Sequence, residues 1–385
     1  MERHPEPGIS ATSPRRGWKI RPYRPQDRKF LEVSLEAHLA EKARLAPLRD
    51  LRPSRHWGEP YARYLIALAE DRQGLGLIAE VGGERAGYLL VVPAVPHGMP
   101  RWELRSTTFR RPCAAEEMFV LPRFRRTGLG VELLSTGARA FARRGFDWLY
   151  AAYHAGHRPE VRIYERFGLR SCSVGVGKWL GSGHRMRRRR LERGSPRPGL
   201  LPDAGSRLRL REFRGSDRRF LEESLDAELA ERVRHLPSRE LTVRRGWGRS
   251  YARSLWTEAS KPNAWAIVAE WSGTAVGFAF AGIQEHGGWQ GRALAFRRAC
   301  SVSSLYVVPA RERLGVGASI LRVVEQHARA RGCDLIRTFY PEGDRFYAEL
   351  FRREGYLRNV GVTGVHLSPE GLPLLPPRRS SGRVT

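Results

Sequence analysis

Apolar residues recur along this chain in two alternating periods, one suited to helices and one to strands. Pro25–Arg44 carries Phe30, Leu31, Leu35 and Leu39 at helical spacing, which predicts an amphipathic helix. Tyr61–Asp71 predicts a second helix. Trp18–Tyr23 alternates as a first strand. Leu77–Val81 and Ala86–Pro93 read as a hairpin, with Gly82 and Gly83 supplying the turn. Ala114–Leu121 predicts another strand. Leu129–Arg143 turns Leu133, Leu134, Ala138 and Phe141 to one side of a helix that ends at Gly145. Trp148–Tyr153 predicts a strand, Glu160–Phe167 a short helix before Gly168, and Ser173–Trp179 a last strand. Mainly antiparallel strands therefore come first, and a strand–helix–strand unit follows.

The whole pattern then repeats. Asp27-Arg-Lys-Phe-Leu-Glu32 returns as Asp217-Arg-Arg-Phe-Leu-Glu222, and Trp57-Gly58 with Tyr61-Ala-Arg63 returns as Trp247-Gly248 with Tyr251-Ala-Arg253, at an offset of 190. Phe109-Arg-Arg111, Cys113, Pro122, Gly128, Gly130, Asp147 and Gly168 return as Phe296-Arg-Arg298, Cys300, Pro309, Gly315, Gly317, Asp334 and Gly355, at an offset of 187. One three-residue deletion in the Leu90–Arg105 region reconciles the two. Self-similarity of this kind predicts tandem domains of one fold, 18–180 and 206–368. Residues 181–205, rich in Arg, Pro, Gly and Ser, read as an exposed linker, and 1–17 and 369–385 as frayed, disordered tails.

Charge changes the picture little. The chain of 385 residues has a formal net charge of +28. Only five basic residues are lysines (Lys19, Lys29, Lys42, Lys178 and Lys261), but Arg-for-Lys exchange conserves charge and cannot create the excess. The excess divides as +1, +11, +5, +9 and +2 over tail, first domain, linker, second domain and tail, so no single segment carries it. A hydrophobic content of 41% is ample for packed cores. No run of about 18 apolar residues predicts a membrane span, and the N-terminus lacks the apolar stretch of a signal peptide. Cys113, Cys172, Cys300 and Cys333 show no Cys-x-x-Cys spacing, so neither a metal site nor a disulfide framework is expected. The expectation is a cytoplasmic protein without metal.

The chemistry concentrates at one strand-to-helix junction, Val120-Leu-Pro-Arg-Phe-Arg125-Arg126-Thr127-Gly128-Leu129-Gly130. A helix starting here offers unpaired N–H groups and the positive end of its dipole. Gly128 and Gly130 let a ligand approach the backbone, and Arg125 and Arg126 add charge. Together they predict a pyrophosphate cradle.

This Val-x-Pro-x-x-Arg-Arg-x-Gly-x-Gly segment resembles the acetyl-CoA-binding motif of the GNAT family, the Gcn5-related N-acetyltransferases. Ile163-Tyr164-Glu-Arg-Phe-Gly168-Leu169 is similar to the family's second signature, and the element order matches over nearly all of each repeat. The resemblance implies an α/β fold of α+β type: two tandem GNAT-like domains, each a mixed, mostly antiparallel sheet flanked by helices. It implies acetyl-CoA as cosubstrate, lying between the strand ending near Val120 and the strand Trp148–Tyr153. Backbone groups of Phe119, Val120 and Leu121 would pair with the pantetheine arm. The N–H groups of Arg125, Arg126, Thr127, Gly128, Leu129 and Gly130 would hold the pyrophosphate. A primary amine, on a small molecule or a protein, would attack the thioester directly, and Tyr164 matches the frequent general acid that protonates the departing thiolate.

An amine of pKa near 10 must lose a proton before it attacks. Glu116 and Glu117, on the strand feeding the cradle, are the candidate base or amine-binding carboxylates. Strand alternation turns only one of them to the cleft. His154 and His157 are weaker candidates, and His157 stands where many family members have Asn.

The copies differ in chemistry. Arg125 becomes Glu312, Glu116 and Glu117 become Ser303 and Ser304, and Tyr164 becomes Phe351, while Gly315 and Gly317 remain. A carboxylate at 312 would repel a pyrophosphate. Domain one is thus the expected catalyst and domain two a degenerate copy in which Tyr347 is the one substitute acid in view. The chain resembles a fused dimer, either a monomer as pseudo-dimer or a homo-oligomer. The alternative is a nucleic-acid-associated protein, non-catalytic or using aminoacyl-tRNA. The net charge and the Arg187–Arg190 run motivate it, but no aromatic-plus-basic motif supports it.

Overall fold

The computed structural model describes residues 11–13, 17–53, 55–94, 107–180, 207–236, 240–287 and 293–373. The linker 181–205, with its Arg187–Arg190 run, lies outside them, as do 1–10 and 374–385 of the tails.

The first copy runs β1 (Ala11–Ser13), β2 (Trp18–Pro22), α1 (Arg28–Leu45), α2 (Gly58–Asp71), β3 (Leu75–Val81), β4 (Glu84–Pro93), β5 (Pro112–Val120), α3 (Leu129–Arg143), β6 (Trp148–His154), α4 (Arg158–Phe167) and β7 (Arg170–Trp179). The second runs β8 (Leu208–Glu212), α5 (Arg218–His235), α6 (Trp247–Ala259), β9 (Ala264–Trp271), β10 (Thr274–Glu285), β11 (Arg298–Val307), α7 (Val316–Ala330), β12 (Leu335–Pro341), α8 (Arg345–Arg353) and β13 (Leu357–His366). Ala11–Ser13 pairs antiparallel with Trp18–Ile20, so part of the N-terminal tail expected to fray is an edge strand.

Among the described residues all strands join one sheet, in the order β1-β2-β3-β4-β5-β6-β13-β7-β12-β11-β10-β9-β8. Most neighbours are antiparallel; β5 pairs parallel with β6, and β11 with β12. The centre is an exchange. β13, from the end of the second copy, inserts between β6 and β7, and β7 crosses to pair with β12. The cores follow the strands. Val365 and Leu367 pack among Leu149, Phe141 and Leu133 of domain one, while Val174 and Val176 pack among Ile336, Val324 and Ile320 of domain two. Gly361 and Gly364 let β13 lie against the Tyr153 and Trp148 rings of β6, where a Cβ would collide with either ring.

A pseudo-two-fold relation extends to the loops. Leu51 bridges Leu294, and at the corresponding positions Leu241 bridges Thr107. Arg52 N–H donates to the Ala293 carbonyl and Thr108 N–H to that of Glu240, each at 2.8 Å. The two copies thus form one continuous body, with α1, α2, α5 and α6 on one face of the sheet and α3, α4, α7 and α8 on the other. Among the described residues no helix is long and apolar enough to cross a membrane.

Candidate active site

Strand β5 does not alternate regularly. Leu90 on β4 faces Glu117, but Val91 faces Ala115, so Glu116 is the extra residue of a β-bulge. Ala114 and Phe119 pack on the α1/α2 side, and Ala115 and Met118 on the α3 side. The bulge therefore turns both Glu116 and Glu117 toward α1 and α2, and the expectation that only one carboxylate faces that side is corrected. Glu116 acts there on Tyr64 and Tyr150, whose hydroxyls it helps burial to push up.

Glu117 is buried at the centre of a polar cluster. His38 Nδ1 lies 2.8 Å from its Oε1, Lys42 Nζ donates to the same oxygen at 2.9 Å, and the Tyr61 hydroxyl donates to Oε2 at 2.7 Å. Burial would raise the carboxyl, but Lys42 and His38 outweigh it and hold Glu117 far below the usual carboxylate range. Burial would likewise lower Lys42; Glu117 and Glu160 keep its ammonium above the ordinary value. His38 is pushed down by burial and then by Lys42, so its ring is neutral at pH 7; both ring nitrogens are buried, Nε2 has no hydrogen-bond partner among the described residues, and Nδ1 is close to Glu117 without a well-aligned hydrogen bond. His154, at the end of β6, is pushed down to about 4 by burial and Lys42.

Two cavities flank this cluster. The first, about 370 Å³, is lined by Leu35, His38, Lys42, Trp57, Tyr61, Glu117 and His154 of domain one and by His286, Ala293, Leu294 and Arg337 of domain two. The second, about 540 Å³, opens where β5 and β6 part: their pairing stops at Ala115–Ala151, while the strands run on to Val120 and His154. Met118, Phe119, Val120, Arg125, Arg126, Gly128, Gly130, His157, Glu160 and Ile163 line it. His38 borders the first cavity and lies tilted against Phe119 and His157 of the second, with ring centroids 4.8 and 5.4 Å away.

The cradle lies at the mouth of the second cavity. Arg126 and Gly128 hold left-handed backbone, with φ of 68° and 95°. Such a turn points successive N–H groups to one side as an anion nest at the start of α3. Arg125 N–H donates to the Pro122 carbonyl, and Leu129 N–H approaches Thr127 Oγ1 at 3.4 Å. The N–H groups of Arg126, Thr127, Gly128 and Gly130 meet no backbone acceptor among the described residues. Gly130 serves packing as well, because a Cβ there would press on Ile163 of α4.

Arg125 is not the open phosphate donor expected. Its guanidinium grips Glu41 through both terminal nitrogens, at 2.7 and 2.6 Å, and the Val120 carbonyl through Nε at 2.9 Å. It is a strut between α1 and the end of β5, its charge matched by Glu41.

Tyr164 is fully buried and does not line the cleft. Its hydroxyl donates to Glu160 Oε1 at 3.1 Å, and Glu160 Oε2 lies 3.1 Å from His157 Nδ1. Burial and Glu160 push the Tyr164 hydroxyl well above its ordinary value. His38, His157 and Glu160 bring three ligand-type atoms within 4.8 Å of one another, against an edge of roughly 3.3 Å for a tetrahedral zinc site with ~2 Å bonds.

Domain two keeps the bulge, at Ser303 between Val302 and Ser304, without the carboxylates. Glu228 and Arg232 occupy the positions of His38 and Lys42 and pair with each other. Glu312 is pushed up by burial and by the nearby Asp344 and Glu231, an acidic group where domain one has Arg125 and His157. A 3-10 turn runs straight from Pro309 to Leu314, without a left-handed residue at Arg313. Tyr347 donates to the Leu305 carbonyl at 2.6 Å, so its hydroxyl is engaged by β11 backbone.

Four polar residues of this site, His38, Lys42, Tyr61 and Glu160, carry no motif. Their one sequence signal is polarity on the buried stripes of α1, α2 and α4; His38 and Lys42 stand three and seven residues after Leu35.

The family model described as "Acetyltransferase (GNAT) family" matches residues 42–169 and again 230–353. Among solved structures, a GCN5-related N-acetyltransferase from Sphaerobacter thermophilus is 18% identical, with 92% of this chain and 97% of that chain covered and a TM-score of 0.49. A tandem GNAT protein from the clavulanic acid biosynthesis pathway is 14% identical, with 91% and 98% covered and a TM-score of 0.45. Two matched regions spanning well over half of the sequence make this chain a tandem member of the GNAT acetyltransferase family.

Proposed function

We propose that domain one transfers an acetyl group from acetyl-CoA to a primary amine by direct attack, with no acyl-enzyme. The single observation that carries this reading is His38, a neutral buried imidazole that lines the cavity under α1 and lies beside Phe119 of the cleft between β5 and β6.

The cleft fits the cosubstrate. A left-handed nest of N–H groups suits a pyrophosphate, and the unpaired ends of β5 and β6 offer backbone groups from Phe119 to Leu121 to an amide-bearing arm. When bound there, acetyl-CoA supplies an activated acetyl thioester. With a proton on His38 Nδ1 directed at Glu117, Nε2 is left to accept one from the incoming amine, the tautomer logic of a carboxylate–histidine pair. Glu117 is far too weak a base itself; it orients His38 and anchors Lys42. The bond that forms joins the amine nitrogen to the acetyl carbon, and the bond that breaks is carbon–sulfur. Tyr164 retains its proton at neutral pH and gives it to the departing sulfur once its hydroxyl turns from Glu160 toward the cleft.

The test is a thiol-release screen of primary amines with acetyl-CoA, with mass spectrometry of the products. Amine-dependent release with an N-acetyl product is the expected result. Acetyl-CoA binding without amine-dependent release would overturn the reading.

A further inference from the structure

The acceptor cavity is lined by both copies, and the part that domain two supplies has a chemistry of its own. Arg337 of β12 lines it beside His286, Ala293 and Leu294. Among the described residues its guanidinium donates to Gln284 Oε1 and lies 3.4 Å from His286 Nε2, both neutral groups. No carboxylate among the described residues forms an ion pair with it; Asp50 acts on it only at longer range. The remaining charges on the wall, Lys42 and Glu117, neutralise each other at 2.9 Å. His286 is held neutral by burial and by Arg337 itself. The cavity lining thus has one positive charge without an ion pair among the described residues, partly withdrawn from water and offset only at longer range by the buried Asp50, in the same cavity as the proposed base. Such a charge is costly unless an anion meets it. A guanidinium presents a planar fork of N–H donors matched to a carboxylate.

We infer that the acceptor is an amino acid, its amine directed to His38 and its carboxylate bound by Arg337. This rests on the transferase reading above and names the substrate class of that same site. Leu35, Leu39, Leu51, Trp57, Ala293 and Leu294 also line the cavity, so the favoured substrate has an apolar side chain. The cavity, about 370 Å³, is at the small end of the range for small-molecule sites, roughly 300–1,000 Å³. A monoanion is the better match: a phosphate monoester carries roughly two negative charges, and only one positive charge here is unpaired.

The assignment also explains the degenerate copy. By the 187-residue offset, Arg337 corresponds to Tyr150 of domain one, which packs in that domain's own core. The arginine is therefore one-sided: domain two supplies it to the pocket of domain one and receives no counterpart. Domain two then acts as the carboxylate-binding wall of its partner's site.

The experiment compares amino acids with their decarboxylated twins, leucine with isoamylamine and phenylalanine with phenethylamine, as acceptors for the full chain. Phosphoethanolamine serves as a phosphate control. The wild type is expected to prefer the amino acid by at least tenfold in kcat/KM. Arg337→Gln should erase that preference by raising KM for the amino acid, with acetyl-CoA affinity unchanged, and Arg337→Lys should restore part of it. Equal use of acid and twin by the wild type would overturn the inference while leaving the transferase reading intact. So would Arg337→Gln slowing both alike, or phosphoethanolamine winning over every amino acid. Failure to acetylate any amine would sink both.

Discussion

His38 Nδ1 and Glu117 Oε1 lie 2.8 Å apart, joining helix α1 to the bulged strand beneath it. The bulge adds the second carboxylate, Glu116, to the same side of the sheet. His38→Gln keeps the contact and removes the basic nitrogen. Its kcat should fall roughly 10²–10⁴-fold, the usual range for losing a general base, with acetyl-CoA affinity unchanged by calorimetry. A kcat within a few-fold of wild type would remove His38 from the mechanism.

Tyr164→Phe should lower turnover with little effect on acetyl-CoA binding, since the ring stays packed against Tyr153 and only the hydroxyl is lost. A leaving group of low pKa should rescue it. An activated aryl thioester donor that restores the wild-type rate would identify the missing step as protonation of the thiolate. Unchanged turnover with the natural donor would reject the general-acid role.

The cradle and its degenerate counterpart supply their own control. Gly128 and Gly315 both open a helix in left-handed backbone, at φ of 95° and 77°. Valine at either position should cost about 1–3 kcal/mol of strain. Only Gly128→Val should abolish acetyl-CoA binding, because only domain one has the left-handed residue at 126 and lacks the acidic group of Glu312 and Asp344. Calorimetry on both variants decides it: loss of binding in Gly315→Val alone would reverse the assignment.

Acid stability follows from the buried imidazoles. His154 is pushed down to about 4 by burial and Lys42, from an ordinary value near 6.5. Its folded form binds fewer protons than the unfolded chain between these values. The stabilisation it gives is complete above 6.5 and is lost as the pH falls toward 4, on the order of 3 kcal/mol for that group. His38 shifts in the same direction. Replacing His154 with Gln should flatten the decline of the denaturation midpoint between pH 7 and pH 4; an unchanged slope would mean that another group controls it.

Helix α3 is legible to the residue, Leu129–Arg143, because its apolar stripe is uninterrupted and Gly145 ends it. The cradle is legible for the same reason: glycine at 128 has a backbone cause. The bulge is not, since an extra glutamate beside a glutamate leaves no break in the apolar pattern. Arg125 reads as a free charge because its partner, Glu41, is 84 residues away on another helix. The acceptor pocket is hidden for a topological reason. Its walls, Lys42 and Arg337, meet only once two strands have changed places, and each strand's pattern suits either neighbour.

That exchange makes the two copies interdependent. β13 pairs with β6 from His366–Trp148 to Val360–His154, and it shields the core that Val365 and Leu367 complete. A fragment ending after β7 would leave β6 with an open edge and would carry β7 as an unpartnered strand whose Val174 and Val176 belong in the other core. Exposed apolar edges of this length invite pairing with another chain. Residues 1–182 expressed alone should therefore emerge as a strand-swapped dimer or aggregate, and co-expression with 206–385 should restore a soluble complex with acetyltransferase activity. Size-exclusion chromatography with light scattering reads the outcome. A soluble, monomeric, fully active 1–182 would show that domain two neither closes the sheet nor completes the acceptor pocket.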